Sequence, residues 1–185
     1  MRTLAFFGGS FNPPHVAHQM VCLYVLETQP VDEVWVVPCH RHPFDKSLAP
    51  FADRLEMCRR AMAPLGGRAR VSEIEAELGG ESSRTLVTLE ALAAREPGTA
   101  WRLIIGADIL PEREKWHRWG DIERLAPPIV VGRQGYPAPP ELGPLVEVSA
   151  ISSTEIRARV ARGEGIDAFV PRQVVAWIRE RGLYR

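Results

Sequence analysis

His15 and His18 lie three residues apart in GGSFNPPHVAH, the stretch from Gly8 to His18 that follows a short apolar run. Residues at that spacing share a helix face, so both imidazoles can meet one ligand. Gly8 and Gly9 let backbone approach that ligand where a side chain would clash. Asn12 is placed to cap a helix whose first turn takes Pro13 and Pro14, which have no N–H to lose there. His15 then falls in the first turn and His18 one turn on. A helix N-terminus favours an anion, so the expected ligand is a phosphate. Metal ligation and purely structural histidines are the alternatives. A zinc site would need Cys39, His40 or His42 from PCHRHP to complete it.

A second stretch, ISSTEIRAR, runs from Ile151 to Arg159. Ser152 with Glu155 fits the capping box S-x-x-E. Three hydroxyls at a helix start also suit a phosphate, and Arg157 in the next turn can fork onto its oxygens. The two uses are compatible, because a cap consumes only one or two of the hydroxyls and N–H groups.

These stretches need elements to hold them. Short apolar runs predict strands at Thr3–Phe7, Asp32–Pro38, Arg70–Glu77, Trp101–Asp108 and Pro127–Arg133, with a last short one at Leu145–Ser149. Helical spacing is expected over His15–Glu27, Phe51–Ala63 and Ser83–Arg95, and helices follow from Ser153 and Pro171. Strands apolar on both faces, alternating with helices, predict an α/β fold: a doubly wound parallel sheet flanked by helices, with a small helical part at the C-terminal end. Residues 1–185 read as one domain, and Gly135–Pro144 as a loop rather than a linker. Ligands of such a sheet bind beyond the carboxyl ends of the strands, where strand order reverses. If the first and fourth strands are neighbours, Gly8-Gly9 and Gly106-Ala107-Asp108 share one crevice.

Composition bounds the partners. The chain has 23 basic and 23 acidic residues, a formal net charge of zero. That balance argues against a long nucleic acid, which needs many phosphate contacts. No apolar run approaches the ~20 residues of a membrane span, and the apolar start is too short for a signal peptide. Three widely spaced cysteines read as reduced, buried thiols of a cytoplasmic protein. A homo-oligomer is left open.

On its two signatures the chain resembles the nucleotidylyltransferase superfamily. GGSFNPPHVAH looks like the H-x-G-H signature, and ISSTEIR like I-S-S-T-x-I-R. With IIGADIL and Trp116 eight residues beyond Asp108, the resemblance is to the nicotinate-nucleotide adenylyltransferase family. It implies a Rossmann-like fold and transfer of adenylate from ATP, with Mg²⁺, to nicotinate mononucleotide. His15, His18 and Arg157 would be catalytic, contacting the ATP phosphates. Gly8, Gly9, Ser10 and Phe11 would bind ATP from the first signature, and Ile151, Ser152, Ser153 and Thr154 from the second. Gly106 and Asp108 would line the nucleoside part of the crevice. Lys46, Thr85, Trp116 and Arg133 would hold the pyridine nucleotide, with Trp116 stacked on its ring. Arg54 is similar to basic residues that the superfamily places near phosphates. No protein-bound metal is implied beyond the Mg²⁺ that comes with ATP.

The chemistry fits this inventory. A phosphate monoester with a second pKa of ~6 is already mostly dianionic at neutral pH, so no general base is needed. Alignment and charge stabilisation remain. Three positions depart from the family pattern: Ala17 replaces a glycine and could crowd the substrate, Asn12 stands where aspartate is frequent, and Arg84 replaces a tyrosine. Nicotinamide mononucleotide or phosphopantetheine as acceptor, and a nucleotide sensor without turnover, are the competing readings. The connection over residues 40–51 is long enough to form a lid.

Overall fold

The computed structural model describes residues 1–41, 48–80, 84–136, 147–148 and 151–185. Six strands form one sheet: β1 (Thr3–Gly9), β2 (Glu33–Pro38), β3 (Ala69–Val71), β4 (Ala100–Gly106), β5 (Pro128–Arg133) and β6 (Glu147–Val148). Their spatial order is β3-β2-β1-β4-β5-β6, and every pair is parallel. The helices are α1 (Val16–Thr28), α2 (Phe51–Met62), α3 (Ile74–Leu78), α4 (Thr85–Arg95), α5 (Trp119–Leu125), α6 (Ser153–Ala161) and α7 (Arg172–Arg181).

The strands are apolar because both faces are covered. Leu4, Phe6, Trp101, Leu103 and Ile105 point to one face, where α3, α4 and α5 add Ile74, Leu86, Leu89, Leu92 and Ile122. Ala5, Val34, Val36, Ile104 and Ile129 point to the other. There α1, α2 and α7 supply Cys22, Val25, Met57, Cys58, Val174 and Ile178. The alternation is the period-two signature of a strand, doubled by a sandwich of helices.

Two elements differ from expectation. The strand predicted over Arg70–Glu77 stops at Val71, and Ile74–Leu78 is a short helix. Glu75 is nearly buried there, accepting from the His40 N–H at 3.0 Å and the Thr88 hydroxyl at 3.0 Å. Those contacts override the alternating pattern. The strand at Trp101 ends at Gly106, and a 3₁₀ segment follows over Ala107–Lys115. Most of the Gly135–Pro144 stretch lies outside the described residues.

The outer helices are fastened by charge as well as by apolar packing. Arg181 reaches the buried Asp53 on α2 at 3.1 Å. The guanidinium groups of Arg60 and Arg181 lie over the Trp177 ring, 4.3 and 5.7 Å from its centroid. Thus α7 is held on α2, and the chain after α7 begins from a fixed point. No helix among the described residues is long and apolar enough to cross a membrane.

All three cysteines are buried and unpaired in disulfides. Burial pushes the Cys22 thiol up from its ordinary 9.0 to about 12, and raises Cys58 and Cys39 as well. The unfolded thiol therefore ionises first as pH rises. The protonated buried thiols stabilise the fold fully below pH 9, and that stability drains away as pH climbs from 9 towards 12. Each thiol contributes at most about 1.4 kcal/mol per pH unit in that window. Urea titrations at pH 8 and pH 10.5 should show the loss. A disulfide-exchange reagent at pH 8 should label the cysteines slowly in the folded protein and rapidly in denaturant.

Candidate active site

The switch in strand order falls between β1 and β4, which pair directly. Both predicted glycine-bearing strand ends therefore open on one crevice. At the end of β1 the chain turns through Ser10 and the buried Phe11, whose φ of 44° is left-handed. Gly9 makes room for that turn: a Cβ there would sit 3.2 Å from the Phe11 ring. Gly106 plays a matching part on β4, where a Cβ would meet the carboxylate of Asp108.

The first helix starts later than its sequence suggests. Asn12 does not cap it, and Pro13 and Pro14 lie outside it. His15 is the N-cap, in extended backbone, and α1 begins at Val16. The reason is Pro14, which keeps the residue before it out of helical backbone. The backbone N–H of His15 donates to Nδ1 of His18 at 3.0 Å. The His18 ring must then carry its proton on Nε2 when neutral. The two imidazoles are stacked, 3.8 Å between centroids and 25° between planes. Phe11 packs edge-on to His18 at 4.9 Å. The pair predicted to act together does lie together, and an aromatic wall fixes one of its members.

The second signature joins the first across more than 140 residues of chain. Ser152 caps α6, its hydroxyl accepting from the Glu155 N–H at 3.2 Å. Ser153 donates its hydroxyl to the Pro13 carbonyl at 2.9 Å. Arg157 donates to the Asn12 carbonyl at 2.8 Å. These bonds set the N-terminus of α6 beside the loop that leads into α1. The first-turn N–H groups of α6 have no partner within the helix and face outward along its axis. Ser10, Asn12, Ala49, Thr154, Arg157 and Tyr184 line one open cleft of about 740 Å³.

The expected residues divide. Ile151 packs partly against the core. Trp116 sits half-buried on the α4–α5 side, edge-on to Trp119 at 5.8 Å. Thr85 starts α4, and Arg84 before it is exposed. Arg133 ends β5. Lys46, His42 and the rest of residues 42–47, half of the 40–51 connection, lie outside the described residues. Among the described residues no group of three or more His, Cys, Asp or Glu side chains is placed to hold a metal ion.

Two expectations are overturned. Ala17 has no exposed methyl with which to crowd a substrate: it is 5 % exposed and its methyl belongs to the core under α1. Arg54 does not offer its charge to a ligand. It is 1 % exposed and donates to four carbonyls, those of Cys39 at 2.7 Å, Ser10 and Ala49 at 3.0 Å and His40 at 3.3 Å. Its position at the fourth residue of an amphipathic α2 turns it inward. Among the described residues no carboxylate pairs with Arg54 or Arg157. Arg157 therefore lines the cleft with no carboxylate partner among the described residues, a charge that draws anions.

Sequence reasoning missed Asn12 as a hub and Tyr184 as part of the cleft. Asn12 Oδ1 accepts from the Ala49 N–H at 3.1 Å and the Tyr184 hydroxyl at 2.8 Å. Only the pattern GLYR after a helix could have hinted at the second, since a glycine there turns the chain back.

Known proteins are similar to this chain along nearly its whole length. Residues 6–159 match the cytidylyltransferase-like family. A protein of Anaeromyxobacter sp. (strain K), named "Probable nicotinate-nucleotide adenylyltransferase", is 54 % identical over 100 % of this chain and 97 % of its own length. One of Myxococcus xanthus with the same name is 47 % identical over 98 % of this chain and 94 % of its own. The chain belongs to the nicotinate-nucleotide adenylyltransferase family. Its fold recurs in Plasmodium falciparum nicotinic acid mononucleotide adenylyltransferase complexed with NaAD, with a TM-score of 0.84 and 20 % identity, over 100 % of this chain and 98 % of that one.

Substitutions at two positions check these placements. Arg54→Leu strands four carbonyls and should destabilise the protein by about 3–5 kcal/mol in urea titrations. Arg54→Lys should recover only part, because one ammonium cannot span the same carbonyls. Ala17→Gly should cost about 1 kcal/mol of stability and leave the KM for ATP unchanged. A fall in KM would place the methyl in the substrate's path instead.

Proposed function

We propose that this chain transfers the adenylyl group of MgATP to nicotinate mononucleotide, giving nicotinate adenine dinucleotide and pyrophosphate. The observation that carries this reading is the junction of the two signatures. Ser153 on Pro13 and Arg157 on Asn12 bring the N-termini of α1 and α6 together, and the stacked His15 and His18 stand at the N-cap and in the first turn of α1. Helix N-termini, an arginine and imidazole N–H donors converge where a triphosphate can lie. The names of the close relatives give the acceptor, a pyridine mononucleotide bearing a carboxylate.

The reaction is an in-line displacement at the α-phosphorus. An oxygen of the acceptor's 5′-phosphate forms the new P–O bond, and the bond to the bridging oxygen of the β-phosphate breaks. The attacking phosphate, with a second pKa of ~6, is dianionic without help from a base. What the protein supplies is donors to charge that grows on the α-phosphate and the departing pyrophosphate. His18, with Nδ1 occupied by the His15 N–H, presents Nε2–H for that purpose. Arg157 and the α6 N-terminus take the triphosphate from the other side. Mg²⁺ arrives with ATP and screens its charge. Gly106, Asp108, Thr85 and Trp116 belong to the pocket for the nucleoside and pyridine parts, at and beyond the end of β4.

Pyrophosphate release from MgATP, with nicotinate mononucleotide, nicotinamide mononucleotide and phosphopantetheine supplied separately, tests the reading. Release should prefer nicotinate mononucleotide and fall by ~10²–10³ in His18→Ala. Preference for another acceptor would keep the chemistry and overturn the substrate. ATP binding with no release from any acceptor would mark a sensor.

A further inference from the structure

Beyond α7 the chain folds back on itself. Gly182 takes a left-handed φ of 60°, and the Leu183 N–H returns to the Ile178 carbonyl at 3.0 Å. That cap reverses the chain, as a glycine at this position commonly does. Tyr184 follows with a φ of 66°, a backbone state that L side chains rarely adopt. The strained turn delivers the tyrosine into the same cleft as Thr154 and Arg157. Its ring packs on the core under the sheet. Its hydroxyl donates to Asn12 Oδ1 at 2.8 Å, across 172 positions of sequence. Burial keeps that hydroxyl protonated, against the pull of Arg157 and Arg54, so it remains a donor at any ordinary pH.

Asn12 is the residue on which these contacts meet. Its side-chain oxygen takes two donors, Tyr184 and the Ala49 N–H, and its backbone carbonyl takes Arg157. A carbonyl can direct a guanidinium only if its own peptide is held. The Ala49 bond ties Asn12 to the segment leading into α2; the Tyr184 bond ties it to the far end of the chain. We propose that Tyr184 is a positioning residue for the triphosphate site: its hydroxyl pins Asn12, and Asn12 sets the orientation of Arg157. The proposal rests on the reading of this crevice as the ATP site.

Tyr184→Phe removes one oxygen and leaves the packing of the ring. Its melting temperature should fall by no more than roughly 4 °C. Its affinity for MgATP by calorimetry, and its KM for ATP, should weaken about three- to tenfold. The deciding measurement is the double-mutant cycle with Arg157→Ala. If Tyr184 acts through Arg157, the tyrosine substitution changes MgATP affinity by less than about twofold once the arginine is gone. Additive losses, or a Tyr184→Phe protein that binds MgATP as wild type does, would overturn the proposal. Should Tyr184→Phe melt below the assay temperature, the cycle is run with Asn12→Ala in its place, and additivity there overturns it equally. Wild-type protein that binds MgATP but releases no pyrophosphate would sink the proposed reaction and leave the cycle to be read in binding alone. Wild-type protein that binds no MgATP would sink both.

Discussion

Backbone carbonyls lose their ladder partners where a parallel strand stops, and the fold must find donors for them without closing the crevice that the strand ends define. Arginine is the solution here. Arg54 gathers the carbonyls of Ser10, Cys39, His40 and Ala49 around one planar group. The loops after β1 and β2 and the entry to α2 are thereby fixed to a single side chain. A neutral donor would satisfy one or two of these groups; the guanidinium offers five N–H bonds in a fixed plane. Among the described residues no carboxylate pairs with its charge, so four carbonyl dipoles carry the compensation.

The same device recurs one layer out. Arg157 serves the Asn12 carbonyl with one nitrogen, at 2.8 Å, and reaches the Thr154 hydroxyl with the other at 3.4 Å. The second contact is long enough to give way to a phosphate oxygen. One residue therefore both joins the two signatures and lines the open cleft. Buried Arg54 cannot do this, and the difference between the two arginines is one of burial and not of type. Charge in an active site divides between groups spent on architecture and groups held ready, and only geometry tells them apart.

Much of this was legible in the sequence because burial on both faces leaves a plain mark. Continuous apolar strands between amphipathic helices gave the parallel sheet, and the sheet gave the crevice. The two signature stretches were legible as helix starts, since Ser152 and Glu155 do form the cap that their spacing suggests. What was not legible depends on contacts distant in sequence. Arg54 reads as a free cation until its carbonyls are known. Ala17 reads as a phosphate neighbour because a motif records proximity in sequence, not which face of the helix a methyl occupies. The strand over Ile74–Leu78 failed for the same reason: a buried Glu75 with two donors outweighs an alternating pattern.

The distribution of backbone strain adds an independent line of argument. Among the described residues three that are not glycine have positive φ: Phe11, Arg118 and Tyr184. Arg118 is the N-cap of α5, on the surface. The other two flank the Asn12 hub, Phe11 as its chain neighbour and Tyr184 as its hydrogen-bond partner. Such conformations cost of order 1–3 kcal/mol each and persist only where surrounding contacts over-determine them. Phe11 is held by its packing between Phe7 and His18, Tyr184 by the glycine cap and the Asn12 bond. Neither residue is strained for the sake of the core, which could bury a phenylalanine or a tyrosine in ordinary backbone. The strain is spent on direction: it turns one ring onto the His18 imidazole and one hydroxyl onto Asn12, whose carbonyl takes Arg157. Two of the three such residues among the described part of the chain stand beside the junction of the two signatures, so unfavourable backbone is concentrated where the position of side chains, and not the burial of surface, is what the contacts fix.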